Sequence, residues 1–487
     1  MANALFDSVS ASEKIYLGKM QTSQNIRIAT KDNISTILSV GVDSWVSSSE
    51  CIEGEAAFSG RTNIRLLYCD EGGIPYGLNY NADYNDRFVS KHINPSTRIL
   101  FEVTVVDHKT EQMGNVVNAR VLLEITAYAF VNNSVVAMVG GEDMFVKNCD
   151  CNLSENYGVT NFNAQMDCEI TADNPVSGVL LAESRVSVSK MYVNDGIVTV
   201  NGRLHSTVVY TSDDRVCSQC QSTDFVREFP LQGDVYEVYG YADVRGTKVR
   251  LELEDDQQQA TFDIQSNVCF TVVYCAKTST TLVCDCYTRD SQLQLKKSSV
   301  TTTLPVGNVC LSRDIRQSFP MDAKGQKVAV CSDAVVTRCV SDGGVTVEGV
   351  LNISLLYLDE ETLKNTMLEV PFSQQVQMDG TDADCMCWAR VTPSNVDVDI
   401  SSQTVSATLE MCVSCWKSCN CTVISAVDEK PCTDKPSAIE IFYARKGQSM
   451  WDLAKSLKLA EEEVRASNPE LGDVIQDDIR IAVYHKL

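Results

Sequence analysis

The spacing of two glycines and a tyrosine recurs three times along this chain. Each copy reads G-x5-G-x7-Y, and the copies are Gly54, Gly60 and Tyr68; Gly196, Gly202 and Tyr210; and Gly343, Gly349 and Tyr357. The second glycines of successive copies are 142 and 147 residues apart. A period of that length is too long for the small units of a solenoid, so the pattern predicts a tandem array of whole domains.

The residues around each copy predict β-structure. In the third copy, Leu351, Ile353 and Leu355 alternate with polar Asn352 and Ser354, which is the period of a half-buried strand. The first glycine of each copy lies where a hairpin turn is needed, and the second suggests a bulge or a close backbone approach inside the returning strand. We expect a mainly β protein with three tandem β-sandwich-like modules, in which the glycines and the buried tyrosine are folding determinants.

The last fifty residues have a different pattern. A charged segment with two prolines, Asp428 to Ala438, is typical of a linker. Beyond it, Ser449 is a good helix N-cap with Asp452 three residues later. A strand from Ile439, two helices and a returning strand from Ile479 predict the order β-α-α-β.

These observations give the expected domain limits. The three β modules are expected at 1–150, 151–297 and 298–432, each closing near a Cys-x-Cys pair. A linker at 433–438 then leads to a compact C-terminal domain at 439–487.

The C-terminal segment resembles a LysM domain. Its Gly-Gln-Ser-Met-Trp run from Gly447 is similar to the opening turn of that family, and Asn468-Pro469 is similar to the turn after the second helix. The resemblance implies a groove between two loops that binds N-acetylglucosamine polymers such as peptidoglycan. The residues it assigns to the groove are Gly447, Gln448, Ser449, Met450, Asn468, Pro469, Glu470, Leu471 and Ile475.

A protein-docking role for the same domain stays open beside glycan binding. The sequence departs from the family at Gln448 and at Gln476-Asp477-Asp478, where LysM domains usually carry aspartate and Pro-Gly-Gln. Added carboxylates are not what a neutral sugar requires. Asp473, Asp477 and Asp478 would instead favour a basic patch on a partner protein, because complementary charge guides orientation and association. Met450 is expected to be one of the exposed contact residues, and Trp451 part of the small core.

The complete arrangement resembles the SPOCS-domain spore proteins of endospore-forming Firmicutes. The resemblance rests on the motif that occurs three times and on the single C-terminal LysM-like domain. The resemblance implies a non-enzymatic morphogenetic scaffold that recruits or anchors coat proteins around the forespore from the mother-cell cytoplasm. Its implied partners are spore coat morphogenetic proteins, including the ATPase that polymerises on the outer forespore membrane. The alternative is a cell-wall protein that binds peptidoglycan or its precursors.

Charge and motif content disfavour other classes of function. The formal charge of -24 argues against nucleic-acid binding, because a protein gains affinity for nucleic acid from its lysines and arginines. The most apolar stretch, 121–139, contains Glu124 and two asparagines, so we expect neither a transmembrane nor a targeting segment. The four histidines form no metal-ligand pair, and no nucleophile elbow or phosphate-binding loop is visible. We expect no catalytic residues, no cofactor and no metal.

The 21 cysteines leave several states open. Reduced thiols, metal ligands and later intermolecular cross-links are all compatible with the sequence, and we favour reduced thiols. The best zinc candidates are Cys412, Cys415, Cys419 and Cys421. Neighbouring residues of a strand point to opposite faces, however, and do not converge easily on one ion.

Overall fold

The computed structural model describes residues 3–213, 215–233, 235, 237–253, 260–320, 323–360, 362–431 and 439–484. Within these ranges the protein is built from antiparallel β-strands, with two short helices near its C-terminus. The predicted mainly β class is confirmed.

The first module contains two three-stranded sheets. One has the order β1-β6-β5 and the other the order β2-β3-β4. The six strands are β1 (Asn3–Ala29), β2 (Ile34–Ile52), β3 (Glu55–Asp70), β4 (Pro75–Val89), β5 (Arg98–Met113) and β6 (Val116–Glu142). Apolar side chains from both sheets fill the space between them.

The next two modules repeat this topology. Module 2 has sheets β7-β12-β11 and β8-β9-β10, and module 3 has sheets β13-β18-β17 and β14-β15-β16. The strands of module 2 are β7 (Phe145–Thr171), β8 (Gly178–Asn194), β9 (Ile197–Ser212), β10 (Arg215–Pro230), β11 (Glu237–Leu253) and β12 (Ala260–Tyr287). Those of module 3 are β13 (Ser291–Ser318), β14 (Gln326–Ser341), β15 (Val345–Asp359), β16 (Thr362–Val376), β17 (Met386–Asp399) and β18 (Thr404–Pro431).

By strand order, each boundary between two modules lies a few residues before the expected domain limit. Positions 150/151 and 297/298 fall inside β7 and β13, which begin almost directly after the last strand of the preceding module. Cys149 and Cys151 therefore lie in the first strand of module 2 and do not close module 1. The expected linker at 433–438 lies outside the described residues.

Both glycines of each repeat have the conformations that the sequence predicts. Gly54, Gly196 and Gly343 have φ angles of 80°, 73° and 66°, and each forms part of the turn before a returning strand. In module 2, Asp195 also has a positive φ of 48°. Two successive positive φ values are the requirement of a type I′ hairpin, so the Asn-Asp-Gly signal is confirmed there.

The second glycine of each repeat lies between a bulge and an aromatic ring. On one side, the neighbouring strand shifts register at Val46/Ser48, Val188/Lys190 or Val336/Arg338. On the other side, the partner residue is Tyr84, Phe225 or Phe372, whose ring occupies the position where a Cβ would be. A side chain at these positions would displace the ring, which explains why glycine recurs there.

The three modules meet through the first strands of each. Thr302 of β13 accepts the N–H of Ser154 of β7 at 2.9 Å and donates to the carbonyl of Ser12 of β1 at 3.2 Å. The hydroxyl of Ser12 accepts the N–H of Tyr157 at 3.3 Å. Each module thus contacts the other two, and two buried apolar clusters draw residues from all three. Equivalent strands of the modules form a closed ring.

Module 3 contains two disulfides, Cys310–Cys412 and Cys387–Cys415. Both join residues that lie directly opposite each other on neighbouring strands. The preference for reduced thiols is therefore wrong for these four cysteines. The zinc alternative also fails, because two of its four sulfurs are committed to disulfide bonds.

A buried carboxylate between modules 2 and 3 predicts a measurable pH dependence. Glu410 accepts a hydrogen bond from Ser394 at 2.8 Å and lies 3.4 Å from His205 Nε2. Burial works to raise the pKa of Glu410, but hydrogen bonds from His205, Ser187 and Ser394 outweigh it and lower the pKa to about 2. Because the folded pKa lies below the unfolded value, this stabilisation is present above about pH 4.5 and is lost as the pH falls toward 2.

We expect Glu410→Gln to remove about 3 kcal/mol of stability at neutral pH, and less as the pH falls toward 2. Urea unfolding between pH 2 and pH 7 measures this difference. Glu50→Gln, at an exposed position of β2, is the control and is expected to follow the parent protein. A constant difference between Glu410→Gln and the parent at all pH values would contradict the assignment.

Candidate functional site

The C-terminal domain has the predicted β-α-α-β order. Its elements are β19 (Ile439–Ala444), α1 (Met450–Leu457), α2 (Glu461–Ser467) and β20 (Ile479–Tyr484). The Ser449 hydroxyl accepts the N–H of Asp452 at 3.1 Å and donates to its carboxylate at 2.6 Å. The predicted N-cap of α1 is confirmed.

The two loops that were expected to border a groove are hydrogen bonded to each other. The N–H of Gly447 donates to the carbonyl of Ile475 at 2.8 Å, and the N–H of Ile475 donates to the carbonyl of Gln448 at 2.9 Å. The N–H of Met450 donates to the carbonyl of Asp473 at 2.9 Å. Ser449 also forms a bridge with Val474. These contacts hold the loops edge to edge.

Four of the nine expected groove residues lie in the interior of the domain. Met450 is 2% exposed, and Ile475, Asn468 and Leu471 are also buried. Asn468 donates from its side-chain amide to the carbonyls of Val464 and Ala482, both at 3.1 Å. The expectation that Met450 is an exposed contact is wrong, because it begins the apolar stripe of α1. Gly447, Pro469 and Glu470 remain exposed.

The three aspartates lie on the segment 473–478, which we name the acidic loop and which is exposed except at Ile475. Asp473 pairs with Arg465 at 2.5 Å, and Asp477 lies 3.9 Å from Lys446 Nζ, with the two carboxylates 93% and 88% exposed. Asp478 accepts the N–H of Lys446 at 2.8 Å. Exposed ion pairs contribute little and exchange readily with water. The acidic loop therefore offers carboxylates to a partner together with the half-exposed side chain of Val474.

Trp451 is partly buried against the apolar core cluster of its own domain, and it also contacts module 2. Its indole N–H donates to Asp285 at 2.8 Å, and the same carboxylate accepts from Lys455 at 2.5 Å. The Trp451 ring meets Tyr287 edge-on at 5.0 Å, and the Tyr287 hydroxyl donates to the carbonyl of Leu459 at 2.7 Å. The domain is thus docked on the end of β12 through α1, which leaves the acidic loop on exposed surface.

A second candidate site, which the sequence did not reveal, is a cavity of about 620 Å³ among the three modules. Its walls come from equivalent strands of each module: β2 and β5, β8 and β11, and β14 and β17. Arg390 of module 3 pairs there with Asp243 of module 2. The rings of Trp388 and Tyr241 pack against each other at 5.1 Å.

Polar atoms without partners lie in the cavity wall. Glu102 Oε1 and Arg245 Nε are buried and have no hydrogen-bond partner in the described structure. The side chain of Arg390 keeps 45% of its surface accessible even though it is paired. A buried polar atom without a partner costs free energy unless water or a ligand satisfies it. The cavity is therefore a polar space that can accept a ligand.

Beside this cavity, Lys14 is enclosed by aromatic rings. Its ammonium nitrogen lies 3.3 Å from the centre of the Trp416 ring and 4.5 Å from that of Tyr128. Burial lowers the pKa of Lys14, and the negative charge of Glu102 opposes that effect. Burial likewise raises the pKa of Glu102. Cation–π contact and the nearby carboxylate are the interactions that stabilise a lysine this deep in the protein.

Other kinds of site find little support in the described residues. In that part of the chain, no group of three or more His, Cys, Asp and Glu is placed to hold a metal ion. Neither of the two helices described is long and apolar enough to cross a membrane.

Comparison with protein families gives one match. Residues 328–401 match the family model described as SipL, SPOCS domain. This part of module 3 is similar to a SPOCS domain. The matched segment runs from β14 to just beyond β17, and it includes Gly343, Gly349 and Tyr357. Searches of curated proteins and of solved structures found no match. Modules 1 and 2 share the strand order of module 3 and its bulge beside the second glycine of the repeat.

Proposed function

We propose that this protein is a non-enzymatic scaffold of the spore envelope that recruits or anchors coat proteins around the forespore. The observation that carries the proposal is the SPOCS match in module 3, which indicates a sporulation-related protein. The contacts among the three similar modules support a structural role, since they bring the surfaces of all three together. The proposed location is the mother-cell cytoplasm at the forespore surface.

The proposed partners are spore coat morphogenetic proteins, including the ATPase that polymerises on the outer forespore membrane. We favour the acidic loop as the surface that docks them. Its carboxylates are exposed, whereas four of the nine residues expected to contact a glycan are buried. Exposed carboxylates at the edge of an interface act chiefly on the association rate and the orientation of the partner. Because salt screens such charges, binding should weaken as the salt concentration rises.

We expect Asp477→Asn combined with Asp478→Asn to weaken binding of the full chain to that ATPase about three- to tenfold at low salt. The fold should survive, because Asp477 is exposed and an asparagine at 478 can still accept the N–H of Lys446. Biolayer interferometry over a salt series measures both the affinity and its slope.

The matched control is Asp83→Asn combined with Asp224→Asn, which changes the net charge equally at two exposed positions of modules 1 and 2. This control should bind like the parent chain. Retention of the full chain on insoluble peptidoglycan tests the alternative function. Strong, salt-insensitive retention that the Asp477/Asp478 change does not affect would show a glycan site and overturn the docking proposal.

A further inference from the structure

A smaller cavity of about 290 Å³ lies between module 1 and module 2, and we name it the interface pocket. On the module 1 side it is lined by the outer face of the sheet β2-β3-β4, where alternate residues of each strand share one face. Arg61, Asn63 and Arg65 of β3 lie on this face, beside Asn79 and Asn81 of β4. On the module 2 side the pocket is lined by residues of β8, β11 and β12.

A bulge in β11 brings Arg245 to the wall of the interface pocket, where it also borders the larger cavity. The register between β11 and β12 shifts between Val244 and Gly246, which leaves Arg245 as the extra residue without a partner in the ladder. Bulges of this kind re-aim a side chain beside a site. Arg245 Nε is buried and has no hydrogen-bond partner in the described structure. Such a donor costs free energy unless water or a ligand accepts from it.

The charges on the wall of the interface pocket favour an anion. Four cationic side chains and one carboxylate line it, which are those of Arg61, Arg65, Arg245, Lys248 and Asp43. The two arginines of β3 are already paired with carboxylates. Within the residues that the structure describes, Arg245 and Lys248 of β11 have no ion pair. Two uncompensated cations in one pocket are a local exception in a chain whose net charge is -24, and they attract negative charge.

The chemistry of the wall indicates a phosphate monoester that also carries hydroxyl groups. Such a phosphate has a charge of about -1.5 to -2 at pH 7, which matches two cations, and a guanidinium can bind it through two parallel hydrogen bonds. Asn63 donates to Asn81 Oδ1 at 3.0 Å, which leaves the Asn81 amide group free to donate. Asn79 and Asn267 are exposed to the pocket. Amide groups donate and accept, as hydroxyl groups require. The volume of the pocket is near the lower end of the range for small-molecule sites.

We propose that the interface pocket binds a small, hydroxyl-bearing phosphate monoester, with the phosphate on Arg245 and Lys248 and the hydroxyl groups on the asparagines. Because the pocket is lined by modules 1 and 2 together, a bound ligand would also stabilise the contact between them. The site is separate from the acidic loop and does not depend on the scaffold function proposed above.

The test is isothermal titration calorimetry of the full chain with glucose 6-phosphate. We expect saturable binding, and binding of glucose that is at least about tenfold weaker because glucose offers no charge to the cations. Arg245→Gln should weaken binding of glucose 6-phosphate about tenfold, and Arg245→Lys should restore part of that loss because it keeps the charge but not the planar fork. Arg250→Gln is the matched control, at an exposed position of the same strand outside the pocket, and should bind like the parent chain.

A second variant keeps the test independent of any effect of Arg245→Gln on folding. Lys248 is exposed, so Lys248→Gln should leave the fold intact and weaken binding about threefold. Equal losses in Lys248→Gln and Arg250→Gln would show general charge attraction and overturn the proposal. Inorganic phosphate that binds as tightly as glucose 6-phosphate would show that the pocket holds an adventitious ion only. The absence of saturable binding up to about 10 mM by glucose 6-phosphate, ribose 5-phosphate and glycerol 3-phosphate would also overturn the proposal.

Discussion

Replacing Arg65 with methionine is expected to destabilise the protein by about 3 kcal/mol, because it removes the cation that joins two modules. The Arg65 side chain is 12% exposed and pairs with Asp43 of module 1 and with Glu183 of module 2, the latter at 3.5 Å. Glu183 is itself 10% exposed and also pairs with Arg185. Leaving the buried carboxylate of Glu183 with fewer partners costs far more than losing a surface pair.

Arg87→Met is the matched control for Arg65→Met. Arg87 is 65% exposed and pairs with Glu55 within module 1 at 3.3 Å. We expect its loss to change stability by less than about 1 kcal/mol. Urea unfolding followed by circular dichroism compares the two variants. If both cost the same, Arg65 does not hold modules 1 and 2 together.

The second large effect is expected at the glycines inside the strands. A Cβ at Gly202 would overlap the carbonyl oxygen of Ser187 and the ring of Phe225. The ring can rotate away, but the backbone oxygen belongs to the bulged strand and cannot move without opening the sheet. We expect Gly202→Ala to cost about 3 kcal/mol, near the upper end of overpacking effects.

Gly349→Ala should behave like Gly202→Ala, since a Cβ there would meet the carbonyl of Val335 and the ring of Phe372. Gly140→Ala in β6 is the control, because its Cβ would meet only Leu5 at an ordinary 3.7 Å. Thermal unfolding of the three variants measures the difference. Similar melting temperatures for Gly202→Ala and Gly140→Ala would show that the bulge and ring do not require glycine.

Local signals in the sequence predicted local structure well. The turn glycines, the alternation around Ile353 and the Ser449 cap each act over a few residues, and each is present as expected. The tyrosines of the repeats are buried in the middle strands of their sheets, at equivalent positions.

The contacts that form the ring and the cavity could not be predicted in the same way. Lys14 contacts Trp416, and Arg65 pairs with Glu183, although both pairs lie far apart in the sequence and no periodic pattern links them. A single sequence gives no information on which distant residues meet. Met450 is a different case. Its spacing with Leu453 and Leu457 predicts that it belongs to the buried stripe of α1, whereas the resemblance to LysM domains predicts an exposed contact.

We propose above that this protein acts as a scaffold at the forespore. Time-lapse microscopy of a fluorescent fusion through sporulation, in an endospore-forming host, tests it most directly. We expect the fusion to accumulate around the forespore as it is engulfed and to remain with the mature spore. Uniform fluorescence in vegetative cells, without enrichment at the forespore, would contradict it.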